Sequence, residues 1–256
     1  MNMDGIAVVK NHRVVSHEEW IAERGAFLAK EKELTRLRDE LNEQRRALPW
    51  ERVTKSYVMT TTEGKATLEQ LFEGRSQLVV YHAMFHPRKA TERTPWTEDA
   101  ACSMCSFWMD NFNGITTHLN QRDVTIIAAS KAPVEKLAAY RKRMGWTFNW
   151  VSTDGTDFNA DYGVSFTDDE VANLSGTYNY RHGGHYPVVE HPGISVFFRG
   201  PSGALFHTYS TYGRGLEMLN VAYHYLDIVP KGRDEGDGNG VQWVRRHDEY
   251  AAAPAR

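Results

Sequence analysis

Five large apolar residues, Trp20, Phe27, Leu34, Leu41 and Leu48, recur at intervals of seven, with Leu37 beside them and mostly charged residues between. That spacing keeps one narrow apolar stripe on an otherwise solvated rod and predicts a single long helix from Ser16 to Leu48. Ser16, followed three positions later by Glu19, makes a capping-box signature at its start, and Pro49 ends it. Only one position per heptad is filled, so an arm across its own domain or a partner subunit is favoured over a coiled-coil seam. A homodimer held through this helix is one expected arrangement.

From Val53 onward the period changes. "VTKSYVMTT" alternates like a strand, "EGK" turns, and Thr67 with Gln70 caps a short helix, "LEQLFEG". "QLVVYHAMF" is an almost unbroken apolar run, as a strand covered on both faces requires. After the loop "HPRKATERTPWTEDAA", Trp108, Phe112, Ile115 and Leu119 fall at helical spacing, and "DVTIIAAS" is the next buried strand. A strand, helix and strand in this order predict parallel strands joined by a right-handed crossover. A helix "PVEKLAAYRKRMG" and a short strand "FNWVS" follow. Residues 153–193 are rich in turns and aromatics, with a small helix capped by Thr167 and Glu170. "ISVFFRG" and "ALFHTYS" flank the turn "PSG" as an antiparallel hairpin, and "GLEMLNVAYHYLDIV" reads as a final helix stopped by Pro230. The expected division is a helical arm over 1–49, one α/β domain over 50–232, and a flexible tail over 233–256 in which "RRHDEY" is solvated.

Composition narrows the function classes. A chain of 256 residues that is 41% hydrophobic can bury a sizeable core. Its formal charge of -3 gives no electrostatic footprint for nucleic acid. No apolar run approaches the roughly 20 residues that span a bilayer, and "MNMDGIAVVKNHRVV" has no signal-peptide core. The expectation is a cytoplasmic protein with neither membrane nor nucleic-acid partners. Motifs for a serine hydrolase (GxSxG), a phosphate-binding loop (GxxxxGK[ST]) or a dinucleotide fold (GxGxxG) are absent from the sequence.

The chemistry then rests on "CSMC", which holds both cysteines of the chain, Cys102 and Cys105. In a reducing compartment a close pair points to chemistry or metal rather than to a structural staple. A position in the first helical turn favours the thiolate, and the three-residue offset brings the second sulfur within bonding reach. This reading assigns Cys102 as the attacking thiol and Cys105 as the resolving one. A second reading is a tetrahedral zinc site, in which His182 and His185 of "RHGGH" join the two thiols. In a third the thiols are inert core residues of a binding or assembly module.

The element order, with "FNWVSTDGTDFNADYGVS" after the second helix, resembles the thioredoxin fold in its peroxiredoxin-like branch. More narrowly, "CSMCSFWMDNFNG", "LVVYHAMF", "HPGISVFFRGPSGALFHTYSTYGRG" and "YHYLDIVPKGR" resemble the bacterial family known as domain of unknown function 899, described as thioredoxin-like, predicted dithiol–disulfide oxidoreductases. The resemblance implies a three-layer α/β sandwich behind the long helix. It implies a thiol–disulfide oxidoreductase or thiol-dependent peroxidase with no organic cofactor. The implied partners are a cellular dithiol reductant and a protein disulfide, small disulfide or peroxide. By analogy with peroxiredoxins the reactive thiol is the second of the spacing, Cys105, so the resemblance leaves the order of attack open. It also places Tyr81 or His82 where thioredoxins keep a buried acid, with at most one of them facing the sulfurs. Pro192 falls near the position of the thioredoxin cis-proline, and a simple bend is the favoured reading. Trp108, Tyr180, His182, His185 and Pro192 are the expected substrate-facing residues. The pair lacks the preceding Trp and the intervening Gly-Pro of thioredoxins themselves.

Overall fold

The computed structural model describes residues 12–87, 91, 98–183, 187–235 and 241–250. Their contacts divide the chain into two units, Met1–Pro49 with Tyr225–Asp234, and Trp50–His224 with Glu235–Arg256.

The first unit is built on α1, His17–Arg46, which matches the helix that the seven-residue stripe predicts. Ser16 caps it by accepting the main-chain N–H of Glu19 at 3.2 Å, while the Glu19 carboxylate pairs with Arg13. Acidic residues in the first turn and Arg45 and Arg46 in the last complement the helix dipole. None of its residues is buried, and Trp20, Phe27, Leu34 and Leu41 are exposed.

The second unit is an eight-stranded sheet. Its strands are β1 (Glu51–Arg52), β2 (Val58–Thr61), β3 (Gly64–Thr67), β4 (Gln77–His82), β5 (Val124–Ser130), β6 (Asn149–Ser152), and, beyond the small hairpin β7 (Thr177–Tyr178) and β8 (Arg181–His182), β9 (Gly193–Arg199) and β10 (Leu205–Tyr212). The sheet order is β1-β10-β9-β4-β5-β6-β2-β3. β4, β5 and β6 run parallel, and β9 and β10 are antiparallel to their neighbours. A parallel core closed on one side by an antiparallel hairpin, with α2 (Ser103–Met109) and α3 (Phe112–Gln121) inserted between β4 and β5, is the thioredoxin-like arrangement.

Side chains of β4 alternate between two layers. Leu78 and Val80 join Ile127, Val151 and Phe197 in a core sealed by Tyr57, Phe72, Phe158 and Tyr162. Phe158 and Tyr162 come from α5 (Phe158–Asp161) and the residue after it, and Phe72 from a single 3-10 turn, Gln70–Phe72. On the opposite face Tyr81 meets Phe112 of α3, and Tyr140 of α4 (Val134–Arg143) packs on Trp146 and Trp150.

Three predicted helices differ in the structure. The cysteine-bearing helix is two helices, because the Asn111 side chain donates to the carbonyls of Phe107 and Trp108 and closes α2. "LEQLFEG" forms only the single turn above, ended by Glu73 in the left-handed region. The last helix is also interrupted. A 3-10 stretch, Gly213–Leu219, stops at extended Asn220, whose side chain accepts from Tyr223 N–H and starts α7 (Val221–Leu226). By contrast α6 (Asp168–Asn173) has the complete Thr167/Glu170 capping box that the sequence suggests.

Candidate dithiol site

Cys102 is the N-cap of α2 and Cys105 lies in its first turn, so both sulfurs sit where β4 leaves the sheet. The main chain of Met84 holds both cysteines. Its carbonyl accepts the Cys102 N–H at 3.0 Å, and its N–H donates to the Cys105 sulfur at 3.3 Å. Ser106 ties the turn further, donating to the Cys102 carbonyl at 3.0 Å and sharing a hydrogen bond with the Tyr140 hydroxyl at 2.8 Å. Both thiols are unbridged and within hydrogen-bonding reach of one another.

The two sulfurs differ in environment. Cys102 is partly exposed. A hydrogen bond from the Cys105 thiol, main-chain N–H donors of Cys105 and Met104, and the Arg246 charge together outweigh burial and lower its pKa to about 7. Cys105 is 1% exposed, and burial followed by the nearby Cys102 sulfur pushes its pKa well above the ordinary thiol value. The amide of Met84 and the hydroxyl of Tyr81 oppose that rise by hydrogen-bonding its thiolate.

Of the two candidate helpers, Tyr81 faces the sulfurs and His82 does not. Tyr81 is buried between Cys105 and Phe112, and burial raises its pKa well above the phenol range. His82 points through the other face, where Nε2 lies 3.0 Å from Ser195 Oγ and the ring packs by Phe158 and Tyr162. Burial lowers its pKa to about 4. It belongs to a polar chain running from Ser195 to Ser210 and His207, not to the thiol site.

The expected substrate-facing surface divides. Trp108 is buried, donates its indole N–H to the Leu216 carbonyl at 2.9 Å and packs on Phe107 and Tyr223, so it is a core residue. Tyr180 is 73% exposed in the two-residue turn between β7 and β8. Asn179 and Tyr180 both take positive φ there, the pattern of a type I′ hairpin turn. His182 is exposed on β8. His185 lies outside the described residues. Pro192 precedes β9 through an ordinary trans bond, and its carbonyl accepts the Tyr178 hydroxyl at 2.7 Å, which makes it a bend. Among the described residues no three His, Cys, Asp or Glu side chains converge as metal ligands, so the cysteines and His182 do not form the zinc set.

Two residues of this site carry no sequence signal. Met84 acts through its main chain, which no side-chain pattern reveals. Arg246 stands in "RRHDEY", expected to be solvated, yet its side chain is only 12% exposed and donates to the Ala101 carbonyl. The departure is confined to Arg246: residues 245 and 247–250 are exposed, as expected, while the Arg143–Asp248 and His247–Asp110 pairs fasten the segment to the domain.

A family model described as a bacterial protein of unknown function, DUF899, matches residues 9–250. No curated protein matches the chain. Among solved structures, the peroxidoxin BcpB from Mycobacterium tuberculosis aligns at 12% identity over 64% of this chain and 84% of its own, with a TM-score of 0.38. Peroxiredoxin Q from Xanthomonas campestris aligns at 13% identity over 67% and 96%, with a TM-score of 0.39. The mitochondrial 2-Cys peroxiredoxin from Plasmodium falciparum aligns at 12% identity over 68% and 90%, with a TM-score of 0.38. Among the described residues no helix is long and apolar enough to cross a membrane.

Proposed function

The chain belongs to the DUF899 family of bacterial proteins of unknown function, and on that footing we propose that Cys102 and Cys105 form a dithiol–disulfide redox couple. Cys102 attacks and Cys105 resolves. The observation that carries this reading is the contrast between the sulfurs. One is reachable with a pKa lowered to about 7, and the other is buried, raised and in reach of the first. An attacking thiol must be ionised and accessible, whereas a resolving thiol needs only to meet its neighbour. The burial of Cys105 weighs against the peroxiredoxin-like alternative in which it attacks first.

With a disulfide substrate, the Cys102 thiolate bonds to one substrate sulfur and expels the other as a thiolate. Cys105 then attacks the Cys102 sulfur and the second substrate thiolate leaves. The Cys105 proton goes to the departing thiolate, and Tyr81 stabilises the Cys105 anion while this happens. The substrate gains two electrons and the pair becomes a disulfide, which an external dithiol reduces again. With a peroxide, Cys102 takes one oxygen as a sulfenic acid and releases an alcohol or water. Cys105 then displaces hydroxide, which leaves as water. Neither course uses an organic cofactor.

The test is alkylation of the protein across a graded redox buffer, read by mass spectrometry. The expected result is a single two-electron transition that protects both cysteines together, with the Cys102 alkylation rate rising through a midpoint near pH 7. Two thiols that stay alkylatable under oxidising buffer, or a Cys105 that alkylates first, overturn the reading.

A further inference from the structure

Residues 241–250 lie against the domain and fasten at three places. Val244 is buried. Arg143 of α4 holds Asp248 through Nε at 2.6 Å and Nη2 at 3.0 Å, and holds Glu249 at 2.9 Å. His247 Nδ1 lies 2.7 Å from the carboxylate of Asp110, the residue that ends α2. Between these anchors Arg246 reaches the other end of the same helix. Its Nε and Nη2 donate to the Ala101 carbonyl at 3.1 and 2.8 Å, in the peptide unit joined to Cys102. Its remaining Nη1 is fixed by Glu249 at 2.8 and 3.1 Å.

We propose that Arg246 is a positioning residue for the reactive thiol, delivered by a docked C-terminal strap that spans both ends of α2 and fixes a positive charge beside Cys102. The proposal rests on the reading of Cys102 as the attacking thiol. A guanidinium stays charged at every working pH, and its directed bonds to Ala101 and Glu249 leave it little freedom to turn toward water. A charge held still in a partly dry site stabilises an anion more than a mobile surface lysine does. Among the described residues, the groups that act on Cys102 include Cys105 from α2, Tyr81 from β4 and Arg246 from the strap. Tyr140 of α4 faces Arg246 rather than the sulfur. Among these Arg246 alone carries a permanent positive charge. Undocking the strap thus removes the charge without altering either cysteine, which makes thiol reactivity depend on a segment 145 residues distant in sequence.

The experiment measures alkylation rate against pH at each cysteine by mass spectrometry, on the full chain. In Arg246→Gln, which keeps a donor for Ala101 but no charge, the Cys102 midpoint is expected to rise by a fraction of a pH unit, since this charge is the smallest of the influences that lower it. Arg246→Met, which keeps only the stem, should match it, and Arg246→Lys should return most of the shift. An unchanged midpoint in Arg246→Gln and Arg246→Met, with Cys102 still the faster thiol, overturns the proposal and leaves the dithiol reading intact. A wild-type Cys105 that reacts first overturns both. If the neutral variants fail to fold by near-ultraviolet circular dichroism, Asp248→Asn decides. It loosens the strap without touching Arg246, and loss of a negative charge alone lowers the midpoint. A rise therefore reports undocking and supports the proposal, whereas a fall or no change overturns it.

Discussion

The main-chain N–H of Met84 donates to the sulfur of Cys105 at 3.3 Å, so the chain leaving β4 holds the buried thiol directly. Tyr81, three residues earlier, brings its hydroxyl near enough to the same sulfur to stabilise its anion. These two donors are what a thiolate formed away from water has in place of hydration. Main-chain donation can be removed only by proline, which would also disturb the chain, whereas the phenol is removed cleanly. In Tyr81→Phe the resolving step is expected to slow on the order of 10²-fold, the usual range for losing one positioned proton-handling group. The first step, governed by Cys102, should hardly change. A chromogenic aryl disulfide separates the two as successive bursts of released thiolate, and equal slowing of both bursts would contradict the assignment.

His82 predicts a pH dependence of stability unconnected with the thiols. Its folded pKa of about 4 lies below the ordinary 6.5 because burial disfavours the charged ring. The unfolded chain therefore binds a proton between these values and the folded one does not. Stability from this group is fully present above pH 6.5 and is lost as pH falls toward 4, by about 3 kcal/mol in total. In His82→Gln, urea unfolding at stepped pH should show a flatter decline over that window. The variant is expected to leave the Cys102 alkylation midpoint in place, since the ring lies on the far face of β4.

How much of the fold is legible in the sequence follows from which forces act locally. The Ser16 cap, the Thr167/Glu170 box and the apolar run of β4 are local signals, and the structure has all three. The breaks at Asn111 and Asn220 leave no such trace, because each depends on one amide choosing a main-chain partner over solvent. The cysteine spacing marks a candidate site. Which helper faces it does not follow from alternation along β4, since parity says only that Tyr81 and His82 differ. Packing of Phe112 on Tyr81 settles that. Arg246 is illegible for another reason: a polar run looks the same whether its charges meet water or meet Arg143 and Asp110.

Trp108 tests whether an aromatic beside the dithiol serves substrate or core. Its indole N–H satisfies the Leu216 carbonyl, joining α2 to the 3-10 stretch before α7. Trp108→Phe keeps an aromatic ring but leaves that carbonyl without its donor, at an expected cost of about 1–3 kcal/mol. The thermal midpoint should fall accordingly. The Michaelis constant for an aryl disulfide should stay within about twofold of wild type, and a large rise without loss of stability would return Trp108 to the substrate surface.

Two glycines should respond to alanine with opposite signs. Gly193 opens β9 opposite His82, and a Cβ there would stand 2.7 Å from Tyr212 Cδ1 and 2.8 Å from Val164 Cγ1. Neither atom is at the end of a long flexible chain. The Tyr212 hydroxyl is bonded to the Tyr162 carbonyl at 2.9 Å, and its ring packs against Tyr178, whose own hydroxyl holds the Pro192 carbonyl. Making room therefore means moving a ring fixed at both its edge and its tip, which costs about 1–3 kcal/mol. Gly114 lies inside α3 without a positive φ, and apart from its chain neighbours and the helix's own backbone no atom comes within 4 Å of where its Cβ would stand. Alanine there removes backbone freedom from the unfolded chain and adds no clash, a gain of about 0.5–1 kcal/mol. Urea midpoints of Gly193→Ala and Gly114→Ala should thus move apart from wild type in opposite directions at unchanged slope. A stabilised Gly193→Ala would mean that the start of β9 is looser than its contacts indicate.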